Sequence, residues 1–317
     1  MSVRSVSGLF VAGALVGALA LDLSPAHAEP AGNIDLNVFR PAMDSRGYLT
    51  INASQVLGHN ELSFGLGALD WGHNMLNLDG NGAEYSIDNI ISATIIAAYG
   101  LKLGPAEIEL GASIPLTILK GDRGPDPGPM EDLVVDGQGL GSVGFHLKTR
   151  FLKTSRAPHV GVGVIGSVFL QTTDPKDRFL GETTAVPQIM GILDKEFGRQ
   201  GRLRIALNGG IKIRKTTTFT NSDAPTATGE SITVGNEIPY GLGIAYAISR
   251  QKFDVVAEVF GAIPLGENEN YMPLEAIGGI KVYLARNSFL SLGAGRGLLP
   301  GEGANPDFRA FIGIVFE

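Results

Sequence analysis

The chain has 317 residues, a formal net charge of −7, 44 glycines and no cysteine. The acidic balance argues against a nucleic-acid-binding surface, and the lack of cysteine excludes a disulfide scaffold, a thiolate metal site and a lipid-modified N-terminal cysteine. Glycine well above the ordinary share of about 7%, with no collagen repeat, suits tight turns and closely curved strands.

Residues 1–28 read as an export signal. Arg4 precedes an apolar run from Gly8 to Leu21, and Ala26-His27-Ala28 supplies the small-x-small pattern of a signal peptidase site. The run is shorter than the ~20 residues a membrane helix needs, so cleavage after Ala28 is expected. Residues 29–60 form a leader without clear periodicity.

Twelve segments then read as half-buried strands: 61–71, 88–99, 106–117, 138–149, 159–171, 185–197, 202–214, 236–248, 253–264, 272–284, 288–297 and 308–316. Alternation is clearest where charges mark one face. In 106–117, Ile108, Leu110, Ala112, Ile114 and Leu116 oppose Glu107, Glu109, Gly111, Ser113 and Thr117; in 202–214, Leu203, Ile205, Leu207, Ile211 and Ile213 oppose Arg202, Arg204, Asn208, Lys212 and Arg214. In 272–284, Leu274, Ala276, Ile280, Val282 and Leu284 oppose Glu275, Lys281 and Tyr283. Such a strand has oil or core on one side and water on the other.

The links between strands are compact at 100–105, 150–158, 198–201, 249–252 and 285–287, and longer at 72–87, 118–137, 172–184 and 214–235. Short turns at one end and long loops at the other are the arrangement of a membrane barrel, whose closure removes the unpaired edge that lipid cannot satisfy. The expected fold is therefore all-β, a closed antiparallel transmembrane barrel over 61–317. Twelve strands are expected, with fourteen as the alternative because residues 48–55 could pair as another. A secreted β-sandwich adhesin would share the alternation but put its charged faces in bulk water.

With the apolar face toward lipid, the lumen receives Glu107, Glu109, His146, Lys148, Arg202, Arg204, Lys212, Arg214, Glu258, Glu275, Lys281 and Arg309. Dense pairing among them would make a closed structural barrel; acidic and basic walls separated by water would make a pore with an ionic constriction. The leader at 29–60 has three placements: in the periplasm, paired to the wall, or in the lumen as a plug, where Phe39, Arg40 and Tyr48 would supply contacts. Tyr271, Tyr283, Phe289, Phe179, Phe197 and Trp71 are candidates for interfacial aromatic belts.

The last strand sets Phe308, Ala310, Ile312, Ile314 and Phe316 on one face, ending in the terminal aromatic that outer-membrane assembly machinery commonly reads. Together with the phrases beginning at Phe39 (FRPAMDS), Asp132 (DLVVDGQGLG), Phe253 (FDVVAEVFGAIPL) and Asn305 (NPDFRAFIGIVFE), it resembles the N-terminal barrel region of large proteins related to outer membrane protein A of Gram-negative bacteria. That resemblance implies an outer-membrane location and an envelope-anchoring role. The peptidoglycan-binding domain that typically follows in such relatives has no counterpart before Glu317.

Other chemistry is thinly supported. Ser63, His59, His73 and Asp70 are close in sequence but lack a nucleophile elbow, and Gly137 to Gly144 lacks the lysine or the strand-helix setting of a phosphate loop. The acidic groups Asp79, Glu84 and Asp88, and Asp122, Asp126, Glu131, Asp132 and Asp136, lack the spacing of an EF-hand. The sequence thus points to a non-enzymatic outer-membrane barrel with no cofactor. Its expected role is structural, with passive small-solute passage, and the alternatives are a dedicated porin, a rim enzyme or the adhesin. The expected partners are outer-membrane lipid and lipopolysaccharide, the assembly machinery and small solutes, not nucleic acid.

Overall fold

A computed structural model of the chain describes residues 33–80, 83–104, 106–123, 136–172, 179–182, 184–198, 201–220, 231–266 and 270–317. The export signal expected at 1–28 lies outside these residues. Fifteen strands follow in order: β1 (Leu62–Gly80), β2 (Ala83–Leu103), β3 (Ala106–Arg123), β4 (Gly137–Leu140), β5 (Val143–Leu152), β6 (Val160–Leu170), β7 (Val186–Phe197), β8 (Leu203–Lys212), β9 (Thr217–Thr220), β10 (Ser231–Val234), β11 (Glu237–Ser249), β12 (Phe253–Pro264), β13 (Leu274–Ala285), β14 (Ser288–Gly297) and β15 (Phe308–Phe316).

The wall is a closed, twelve-stranded antiparallel barrel. Each strand pairs with its sequence neighbour in the wall, β8 pairs with β11 across the β9–β10 hairpin, and β1 closes on β15 from Phe64↔Phe316 to His73↔Phe308. β4 and β5 act as one wall strand broken at residues 141–142. The break is a close crossing: Gly141 N–H donates to Pro115 O at 2.8 Å, and a Cβ there would lie 3.1 Å from Leu180 O.

Alternation does what the sequence pattern requires. In β15, Phe308, Ile312 and Phe316 are exposed while Arg309, Phe311 and Val315 are buried. Outward apolar side chains such as Leu110, Leu193, Leu207 and Leu242 continue round the barrel as a band.

Three expectations need correction. The long loop placed at 72–87 is mostly strand, because β1 and β2 run on as a ribbon pairing as far as Gly80↔Ala83. Its Asn, Asp and Gly residues have low β propensity and hide the pattern, yet Met75, Leu76, Leu78, Ile87 and Ile90 are buried beneath the ribbon. The segment 214–235 carries the β9–β10 hairpin. The extra strand weighed at 48–55 does not form, and this stretch lies inside the barrel instead.

Candidate functional site: a plugged lumen

Residues 33–60 contain no strand or helix but are among the most buried in the molecule. Ile34 and Leu36 pack at the long-loop end with Leu78, Phe219, Ile232 and Tyr271. Phe39 sits deeper, 6.1 Å from the Phe260 ring and 5.2 Å from Phe311, under the Arg309 guanidinium at 5.1 Å. At the short-turn end Asn60 N–H donates to Gly100 O at 2.9 Å. The leader is therefore a plug that threads the lumen from one end to the other, and Phe39, Arg40 and Tyr48 all lie in it.

An irregular backbone in a water-poor lumen leaves N–H and C=O groups without ladder partners, and each must find another. Wall side chains supply them. Glu258 accepts from Leu49 N–H at 2.6 Å and Thr50 N–H at 2.8 Å; Glu109 accepts from Leu57 N–H at 2.8 Å; Lys281 donates to Gly47 O at 2.7 Å. Asn208 both accepts from Asn52 N–H at 2.8 Å and donates to Asn52 O at 2.9 Å. Lys148 bonds to the plug residue Asp44, both side chains being fully buried.

The remaining inward charges pair with groups of the wall and of its long links. Arg309 bridges Asp70 at 2.7 Å and Glu275 at 2.6 Å with no exposure on any of the three side chains. Arg204 binds Asp254 at 2.6 Å and lies over the Tyr48 ring. Lys212 and Arg214 share Glu182 and Glu237, and Tyr271 donates to Glu237 at 3.2 Å. Burial would lower the Arg214 guanidinium, yet the two glutamates push it well above its usual value; burial and Glu237 push the Tyr271 phenol up. Glu107 binds Arg150 and Lys153 at the short-turn rim.

Arg202 departs from the expected set. It precedes β8 in the turn, and its side chain is exposed at the rim rather than enclosed. Parity alone put it in the lumen, and parity does not say where a strand ends. Sequence reasoning also missed Asp44, Glu182, Glu237 and Asp254 as lumen partners. Asp254 shares the phase of Glu258 along β12, which was the available signal; Asp44 and Glu182 come from irregular segments that carry none.

The aromatic belts are only partly as expected. Trp71 and Phe197 face outward, whereas Phe179, Tyr271 and Phe289 are buried, and Tyr283 faces inward to donate to Asp254 at 3.1 Å. Phe289 is held under Lys281, whose Nζ is 3.9 Å from the ring centroid. Ser63, His59, His73 and Asp70 do not converge: Ser63 accepts from Ser45 N–H, Asp70 binds Arg309, and the two histidines lie near Lys102 and Asn89. Of the acidic loop groups, Asp88 accepts from Ser86 and Asp136 from Gly121 N–H, while Asp126, Glu131 and Asp132 lie outside the described residues.

The plug does not fill the lumen. A cavity of about 160 Å³ lies between it and the wall of β5–β8, β11 and β12. His146 hangs there between Ser113 and Ser167, with ring nitrogens 3.0 and 2.9 Å from the two hydroxyls. Met43, Ile165, Met190 and Tyr240 give the cavity apolar patches, and Glu182, Lys212 and Glu237 stand at its long-loop side. Glycines of β11 seat the plug beside it: a Cβ on Gly241 would come within 2.3 Å of Ile51 Cδ1.

No protein-family model matches the chain, and no curated protein matches it. Among solved structures it is similar to an outer-membrane channel from Pseudomonas putida F1, with a TM-score of 0.61, 13% identity, and coverage of 83% of this chain and 97% of that one. The β domain of the Bordetella autotransporter BrkA gives a TM-score of 0.43 at 11% identity, covering 81% of this chain and 100% of that one. The CymD monoaromatic hydrocarbon channel gives 0.41 at 11% identity, covering 82% and 87%. The first likeness extends over nearly the whole of its partner and is one of fold: an outer-membrane barrel.

Proposed function

We propose that the protein is a Gram-negative outer-membrane channel in which small solutes pass between a fixed plug and one side of the wall. The cavity beside His146 carries this reading. A purely structural lumen has no reason to leave a space lined by hydroxyl, imidazole, amide and apolar groups between a tightly bonded plug and the wall. Mixed linings of this kind suit small solutes that present both a hydrogen-bonding group and an apolar body. The dense pairing elsewhere supports a second role, mechanical stability of the envelope, that the same molecule can serve while it conducts.

Single-channel recording of the refolded mature chain in a planar bilayer tests the proposal. Wild type should give small, reproducible steps, and Met190→Trp, which fills the cavity without touching an ion pair, should abolish or sharply reduce them. A correctly inserted, protease-resistant barrel with no steps would leave the structural role alone. Unchanged steps in Met190→Trp would move the pathway elsewhere.

A further inference from the structure

The short-turn rim carries a collar of unpaired positive charge. Lys102, Arg156, Arg202, Arg250, Lys252 and Arg286 are exposed, and among the described residues none forms an ion pair. They lie in or within two residues of all five compact links between wall strands rather than being gathered at one.

The acidic groups of the same rim are already engaged. Glu107 is held by Arg150 and Lys153, Glu61 and Glu317 by Arg46, and Glu196 by hydrogen bonds from Gln55 and Thr154. The collar is thus not neutralised locally. Nor does it follow from composition, because the chain as a whole is acidic.

Position decides what the collar meets. Lys102 adjoins Leu103, Arg250 follows Ile248 by two residues, and Arg286 follows Leu284 by two; those three apolar side chains are exposed by 61%, 54% and 58% and belong to the lower margin of the apolar band. Charges within one or two residues of that margin lie at headgroup depth, where a long basic side chain keeps its stem against the apolar margin and its charge in the polar layer. A periplasmic polymer would instead meet charge projecting beyond the membrane surface.

We infer that this collar binds the anionic phosphate headgroups of phospholipids in the periplasmic leaflet, gripping the barrel at that level. The inference rests on the outer-membrane reading but not on solute passage. Each basic side chain near an anionic surface favours association on the order of fivefold, so several acting together should give a clear preference for anionic over zwitterionic lipid.

The test is native mass spectrometry of the detergent-folded protein titrated with phosphatidylglycerol or with phosphatidylcholine of the same acyl chains. A variant with all six side chains changed to glutamine, and with folding confirmed by heat-modifiable gel mobility, serves as the comparison. Wild type should retain more phosphatidylglycerol than phosphatidylcholine, with the preference falling as ammonium acetate is raised and vanishing in the variant. Equal retention of the two lipids by wild type, or a preference that survives in the variant, overturns the proposal. A barrel that folds and shows the preference but conducts no solute would sink the channel reading and leave this one standing.

Discussion

The two sides of the lumen are built differently. Along β12, β13 and β15 the wall grips the plug: Glu258 accepts plug N–H groups, Lys281 binds a plug carbonyl, and Arg309 stacks on Phe39 while bridging Asp70 and Glu275. Along β5 to β8 the wall also holds the plug, through Lys148 to Asp44 and Asn208 to Asn52, but it leaves a cavity beside His146 and Met190. The difference teaches that inward charge in this barrel does not mark the solute path. Buried charge serves to hold the plug or to close ion pairs, and the open space is lined largely by uncharged groups.

Breaking the gripped side should have the largest effect. Arg309→Met removes one member of a fully buried triad and strands two carboxylates, a change that costs roughly 3–5 kcal/mol. The midpoint of urea unfolding in lipid vesicles should fall accordingly. If Arg309→Met unfolds like wild type, the triad is not what holds this side. A triple change of Arg309, Asp70 and Glu275 to apolar residues should recover much of the loss, since the penalty lies mainly in the unpaired charges.

A smaller effect is expected at Glu258. Glu258→Ala leaves the Leu49 and Thr50 N–H groups buried without acceptors, at about 1–3 kcal/mol for each group left unsatisfied. Because these groups belong to the plug, the loss should appear as faster hydrogen exchange at residues 47–52 together with noisier conductance. The Met190→Trp change on the open side sharpens the contrast, since it should alter conductance with little shift in the unfolding midpoint. If Met190→Trp destabilised the barrel as much as Arg309→Met, the two sides would not be distinct in the way their contacts indicate.

How much of this was legible depends on periodicity. Wall strands such as 253–264, 288–297 and 308–316 could be bounded from sequence because two-residue alternation is imposed by oil on one face and a filled lumen on the other. The upper parts of β1 and β2 could not, because their Asn, Asp and Gly residues obscure the pattern and their burial is set by packing over the plug. The plug itself has no period at all. Its sequence showed candidate contacts in Phe39, Arg40 and Tyr48, but its place depends on glutamate, asparagine and lysine acceptors and donors 52 to 234 residues later in the chain. Inward charges were identified by parity, whereas their partners, among them plug backbone groups for Glu109, Glu258 and Lys281, required the fold.

The smallest change is expected where a buried pair is removed whole. Asp44 ties the plug to Lys148 with both side chains fully buried, so Asp44→Asn alone strands an ammonium and should lower the unfolding midpoint. Lys148→Met added to Asp44→Asn takes that charge away, while the asparagine oxygen can still accept from Arg46 and Gly47 N–H, as the carboxylate does. The double variant should therefore unfold close to wild type, because the attraction within a buried pair does little more than offset the cost of burying both charges. A double variant as unstable as Asp44→Asn would instead make the pair itself a tie that holds the plug against β5.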